Sequence, residues 1–153
     1  MIPSKIPAVF IRGGTSKGVF FKEEDLPSSR EERDEIFLKV LGSPDPYQRQ
    51  LNGMGGGLSS VSKVVIIAAS NRPDADVDYT FVQIAVDKPV ADYGQACGNL
   101  SASVGPFAVE EGIVPAENGR TTVRVYNTNT DKIYHAQFEV REGHAVETGD
   151  YDM

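Results

Sequence analysis

A single cysteine stands among 153 residues, so no disulfide can form within the chain. Histidine is nearly as scarce, at two, and no Cys/His metal-ligand spacing exists. No apolar run reaches the length of about 18 residues that a membrane-spanning helix needs. The N-terminus "MIPSKIPAVF" lacks the charged and apolar regions of a secretory signal. A cytoplasmic location is therefore the expectation. Basic residues are in deficit: 15 Lys and Arg against 22 Asp and Glu give a net charge of −7. That balance argues against nucleic-acid or anionic-membrane partners, which require a basic surface. Neither glycine-rich stretch completes a nucleotide motif. "RGGTSKG" lacks the Gly-x-x-x-x-Gly-Lys-Ser/Thr order, and "NGMGGGLSS" fails at the last glycine and precedes a strand.

What is present suits one globular domain. Hydrophobic residues make up 40% of the chain and charged residues 24%. The length allows a substantial core. Residues 7–13 and 18–22 read as two strands around the polar turn "GGTSK". Ser29 with Glu32 three residues on is a capping box. Ile36, Phe37, Val40 and Leu41 then form an apolar stripe that Gly42 can end, which predicts an amphipathic helix over 30–41. Residues 43–60 read as a loop. Strands are expected at 61–70 and 77–86, a helix from about 98 to 112, and alternating strands at 120–128 and 132–140. This is α+β, with a mostly antiparallel sheet rather than βαβ winding. Residues 147–153, "ETGDYDM", carry no closing element.

Cys97 lies where a helix should begin. Unpaired N–H groups and a partial positive charge gather there. They favour a reactive thiolate and can hold a carboxylate. Gly98 would let a substrate approach the backbone, and Asn99 offers a donor and an acceptor. Cys97 also reads as a small buried hydrophobe. The helix after it carries small residues, Ser101, Ala102, Ser103 and Gly105, which suit a central position; Pro106 should kink it. Lys63 shares a strand face with Val65 and Ile67, and an apolar setting favours the neutral amine that can act as a base. The alternative is a lysine snorkelling at the strand entrance. The two glycine-rich stretches could supply N–H groups and hydroxyls to a small anion. Gly14, Thr15 and Ser16 do so in the first, flanked by Arg12 and Lys17, and Ser60 in the second. Both also read as plain turns. His135 and His144 have no signature pairing them with Cys97.

"IRGGTSKGVFF", "NGMGGGLSSVSKVVII", "DYGQACGN" and "VGPFAVEEGIV" together resemble the methylaconitate cis–trans isomerase (PrpF-like) family. Related members of the family that this chain resembles include oxalomesaconate tautomerase and methylitaconate isomerase. "ACGN" also resembles the cysteine motif of diaminopimelate epimerase. The resemblance implies a sheet wrapped around a central helix, in a domain that is the first of two, with the site between them. It implies that Lys63 acts on a substrate proton and that Cys97 lies beside the substrate, an unsaturated di- or tricarboxylate. It implies no cofactor and no metal, with a second domain or a second copy as partner. A cysteine-dependent racemase, which would want a second cysteine, and a non-catalytic carboxylate-binding or protein-binding module are the competing readings.

Overall fold

The computed structural model describes residues 2–147. Most of the stretch without an expected closing element, 148–153, lies outside the described residues.

A hairpin opens the fold. Strands β1 (Val9–Gly13) and β2 (Ser16–Lys22) pair antiparallel, and the Gly13–Ser16 pair leaves only Gly14 and Thr15 in the turn. Gly14 has φ 54°, in the left-handed region where a side chain is disfavoured. Helix α1 (Arg30–Leu41) follows, over the span that its stripe predicts. Ser29 caps it by accepting the Glu32 N–H at 3.3 Å, and Gly42 ends it with φ 81°. After a loop come β3 (Lys63–Ala69), β4 (Val77–Ile84) and the two-residue β5 (Ala91–Asp92). Helix α2 (Gly98–Glu110) leads to β6 (Gly119–Asn127), β7 (Lys132–Arg141) and the short β8 (His144–Ala145). No helix of the described residues is long and apolar enough to cross a membrane.

The sheet runs β1-β2-β3-β4-β6-β7-β8, with β5 also on β4. Five of its seven pairings are antiparallel, but β2–β3 and β4–β6 are parallel. The expectation of no βαβ winding is therefore corrected: the sheet is mixed. Each helix lies in the connection between two parallel strands, α1 between β2 and β3, α2 between β4 and β6. A helix in a connection returns the chain to the end where it started, so the next strand runs the same way.

Strand alternation divides the core in two. Val19, Phe21, Val64, Ile66 and Val82 point to α1, where they meet Ile36, Phe37 and Leu41. Phe20, Val65, Ile67, Tyr79 and Phe81 point the other way and pack with Leu100, Val104 and Phe107 of α2. The unbroken apolar run Val64–Ile67 is thus a strand buried on both faces. Helix α2 also lies against β1, β6, β7 and β8. A Cβ on Gly105 would come within 2.6 Å of the Phe138 ring, so the close approach of α2 to β7 depends on this glycine. The helix continues through Pro106 to Glu110.

Candidate active site

Three side chains from three elements converge. Ser16 begins β2, Lys63 begins β3, and Cys97 is the residue from which α2 starts. Lys63 Nζ lies 3.2 Å from Ser16 Oγ and 3.2 Å from Cys97 Sγ, and donates to both. The thiol is 3.9 Å from the Ser16 hydroxyl. Ser16 is 1% exposed and Cys97 6%. Cys97 is thus a buried thiol, covered by Lys63 and Ser16. The Phe81 ring lies 5.3 Å from the Lys63 nitrogen. Lys63 is thus half-buried on the α2 side of the sheet, sharing a face with Val65 and Ile67 as alternation predicts.

The backbone of Cys97 is held from below. Its carbonyl accepts from the Ser101 hydroxyl at 2.7 Å, the Tyr79 hydroxyl at 3.3 Å and the Ser101 N–H at 3.3 Å. Burial raises the Tyr79 pKa above its ordinary value, with the nearby Cys97 adding to the effect, so this hydroxyl stays a neutral donor. Tyr134 extends the support by donating to the Ser101 carbonyl at 2.8 Å. Sequence reasoning missed Tyr79; its burial position in an alternating strand is the one signal it offers.

The mouth of α2 is open and uncapped. Cys97 makes no side-chain bond to the first turn, and that turn carries no acidic residue. Gly98 and Asn99 are exposed, and a Cβ on Gly98 would meet nothing within 4 Å. Free N–H groups facing open space suit a carboxylate. The "GG" turn packs on this mouth. A Cβ on Gly13 would stand 2.6 Å from both the Asn99 carbonyl and Ser103 Oγ, and one on Gly14 would strike the Asn99 side chain. The first glycine motif and the cysteine motif therefore touch because both glycines lack a side chain.

Other expected residues stand apart from the cluster. Thr15 is exposed at the hairpin tip. Arg12 and Lys17 face each other across the hairpin, one register step from Gly13–Ser16, and so project to the opposite face; Arg12 Nε donates to the Gly14 carbonyl at 3.2 Å. Ser60 sits half-buried in the tight turn Ser59–Val61, three residues before Lys63. His135 is exposed on β7, and His144 meets Glu110 at 3.1 Å. Neither approaches Cys97. Among the described residues no three His, Cys, Asp or Glu side chains cluster. The glycines of the second stretch are occupied by the fold itself. The N–H groups of Gly53, Met54, Gly55, Gly56 and Gly57 all donate within the protein.

A family model described as "PrpF protein" matches residues 3–153. The chain belongs to the PrpF family. It is 48% identical over 157 residues to the 2-methyl-aconitate isomerase of Cupriavidus necator, covering 97% of this chain and 40% of that protein. The chain thus spans well under half the length of this curated relative. The crystal structure of a methylitaconate-delta-isomerase superposes with a TM-score of 0.92 at 48% identity, over 97% of this chain and 65% of the other. A hydroxyproline epimerase from Agrobacterium vitis shares the fold alone, with a TM-score of 0.62 at 15% identity over 95% of this chain and 41% of that one. The α+β class is thereby the one found in isomerases and epimerases of this shape.

Proposed function

We propose that this chain forms the Lys63–Cys97 wall of a cofactor-independent isomerase acting on an unsaturated di- or tricarboxylate such as 2-methylaconitate. The observation that carries this reading is the Lys63 amine, set 3.2 Å from both Cys97 Sγ and Ser16 Oγ beside the open mouth of α2. Lys63 takes an allylic proton from the substrate. The electron pair left behind spreads over the double bond and the adjacent carboxylate. N–H groups at Gly98 and Asn99 stabilise that charge, since they point at it before reaction and need no reorganisation. The ammonium of Lys63 then returns the proton, after rotation or at the other allylic carbon, so enzyme and substrate end with the protons they began with. Cys97 serves as a contact or a second acid/base.

We read α2 as the central helix of an epimerase-like domain, around which the sheet wraps. Its open mouth, and the short share of the relatives' length that this chain spans, support the reading of a second domain or second copy across the site. Soluble carboxylate substrates and the acidic surface agree with a cytoplasmic enzyme that binds no nucleic acid.

The test is proton NMR of 2-methylaconitate with the protein in deuterium oxide. Isomerisation with deuterium entering the allylic position supports the reading. Binding without exchange would favour the non-catalytic carboxylate-binding module instead.

A further inference from the structure

We propose that Gln50 is a positioning residue: its buried side chain fixes Ser62 and thereby the place of the Lys63 amine. This rests on the reading of Lys63 as the base. Gln50 is 1% exposed in the loop between α1 and β3, and all its side-chain hydrogen-bonding groups are engaged. Nε2 donates to Ser43 Oγ at 2.9 Å and to Ser62 Oγ at 2.8 Å, while Oε1 accepts from the Gly57 N–H at 2.9 Å. The backbone is bent to aim it there. Gln50 has φ 54°, a conformation costly for a residue with a side chain. The Asp45 carboxylate holds that bend by accepting from the N–H groups of Tyr47, Arg49 and Gln50 at 2.9, 3.0 and 2.8 Å. Gly55 leaves the room, since a Cβ there would strike the Gln50 amide.

The far end of this link is Ser62, fully buried and adjacent to Lys63. Its hydroxyl accepts from Gln50 and donates to the Ile84 carbonyl at 2.8 Å. Its carbonyl accepts from the Ile84 N–H and from Gln83 Nε2, each at 3.0 Å. At Ser62 the chain leaves the turn Ser59–Val61 and enters β3. The loop has other anchors: Met54 and Gly55 donate to the last turn of α1 at Val40 and Leu41. The particular reach of the Gln50 amide is therefore to the foot of the base. A fully satisfied buried amide specifies position in a way that a hydrophobe of equal size does not.

The experiment compares Gln50→Leu, Ser62→Ala and the double variant with wild type and with Lys63→Met. Turnover of 2-methylaconitate and iodoacetamide alkylation of Cys97 against pH are both measured, the alkylation being slow in wild type because Lys63 and Ser16 cover the thiol. A displacement of the amine by a fraction of an ångström should lower kcat about ten- to hundredfold with KM nearly unchanged. The double variant should lose no more than the worse single, because one link is broken from either end. The alkylation profile should move toward that of Lys63→Met, a readout that needs no substrate. A lowered melting temperature with wild-type kcat and a wild-type alkylation profile would overturn the proposal. So would a double loss equal to the product of the single losses. Should Gln50→Leu fail to fold, Ser62→Ala decides by the same two readouts. Retained turnover in Lys63→Met would instead sink the base assignment, and the Gln50 link would then stand or fall on the alkylation profile alone.

Discussion

Lys63→Met separates chemistry from folding at one position. Methionine matches the lysine stem in length and keeps its packing near the Phe81 ring, 5.3 Å from the present amine. What disappears is the amine and its two hydrogen bonds, to Ser16 Oγ and Cys97 Sγ at 3.2 Å each. Ser16 and Cys97 remain side by side, 3.9 Å apart. The stability cost should be about 1 kcal/mol, a shift of about 2–4 °C in melting temperature for a protein of this size. The catalytic cost is of another order. A positioned general base contributes about 10²- to 10⁴-fold, and here the same group would return the proton. Isomerisation of 2-methylaconitate, followed by proton NMR, should fall by about 10³-fold or more, while circular dichroism stays that of wild type. Turnover within tenfold of wild type, in a variant that melts normally, would show that another group moves the proton.

Three further outcomes follow from the same geometry. Cys97→Ser keeps a small polar atom near Lys63, so it should lower kcat less than Lys63→Met does; an equal or greater loss, measured in the same assay, would make the thiol an obligatory acid/base. Gly13→Ala drives a Cβ to 2.6 Å from the Asn99 carbonyl and Ser103 Oγ, and should cost about 1–3 kcal/mol in urea unfolding, together with activity, because the first turn of α2 must shift. Hydrogen bonds from Arg124, 2.9 Å to Oδ1 and 2.8 Å from its backbone N–H to Oδ2, hold Asp76 below its ordinary value of 3.8. A carboxylate depressed on folding contributes stability above its unfolded pKa and loses it as pH falls through the folded one. Wild type should therefore lose urea resistance below about pH 4, and Asp76→Asn should start weaker and lose less over that window; parallel curves for the two would remove Asp76 from the acid transition.

Local signals in the sequence were strong where a single element decides the outcome. Ser29, Glu32 and Gly42 bound α1 because caps and a left-handed glycine act within one turn. The alternation of 120–128 and 132–140 gave β6 and β7 for the same reason. Lys63 and Cys97 were legible as candidates because a lysine opening an apolar strand and a thiol opening a helix each go against local habit. Residues whose meaning lies in partners remote along the chain were not legible. Gln50 sits in a loop of glycines and polar residues, and only the fold shows Ser43, Gly57 and Ser62 around its amide. Arg12 and Lys17 looked like counter-charges to an anion because spacing places them beside the glycine turn. The pleat then sends them to the face away from Ser16.

The missed parallel pairings explain why the site exists where it does. Strands β2 and β3 run the same way, joined through α1, so Ser16 and Lys63 begin their strands at one end of the sheet. Strand β4 reverses direction against β3, with Lys63 opposite Gln83, so its C-terminal end arrives at that same edge. The chain leaves β4 there, makes the short β5 and enters α2. The positive end of the helix is thereby delivered to the starts of β2 and β3. An all-antiparallel meander would have put Ser16 and Lys63 at opposite ends of adjacent strands, beyond the reach of one thiol. The 3.2 Å contact between Lys63 and Cys97 thus follows from the β3–β4 reversal, and Ser16 joins them because one crossover makes β2 and β3 parallel.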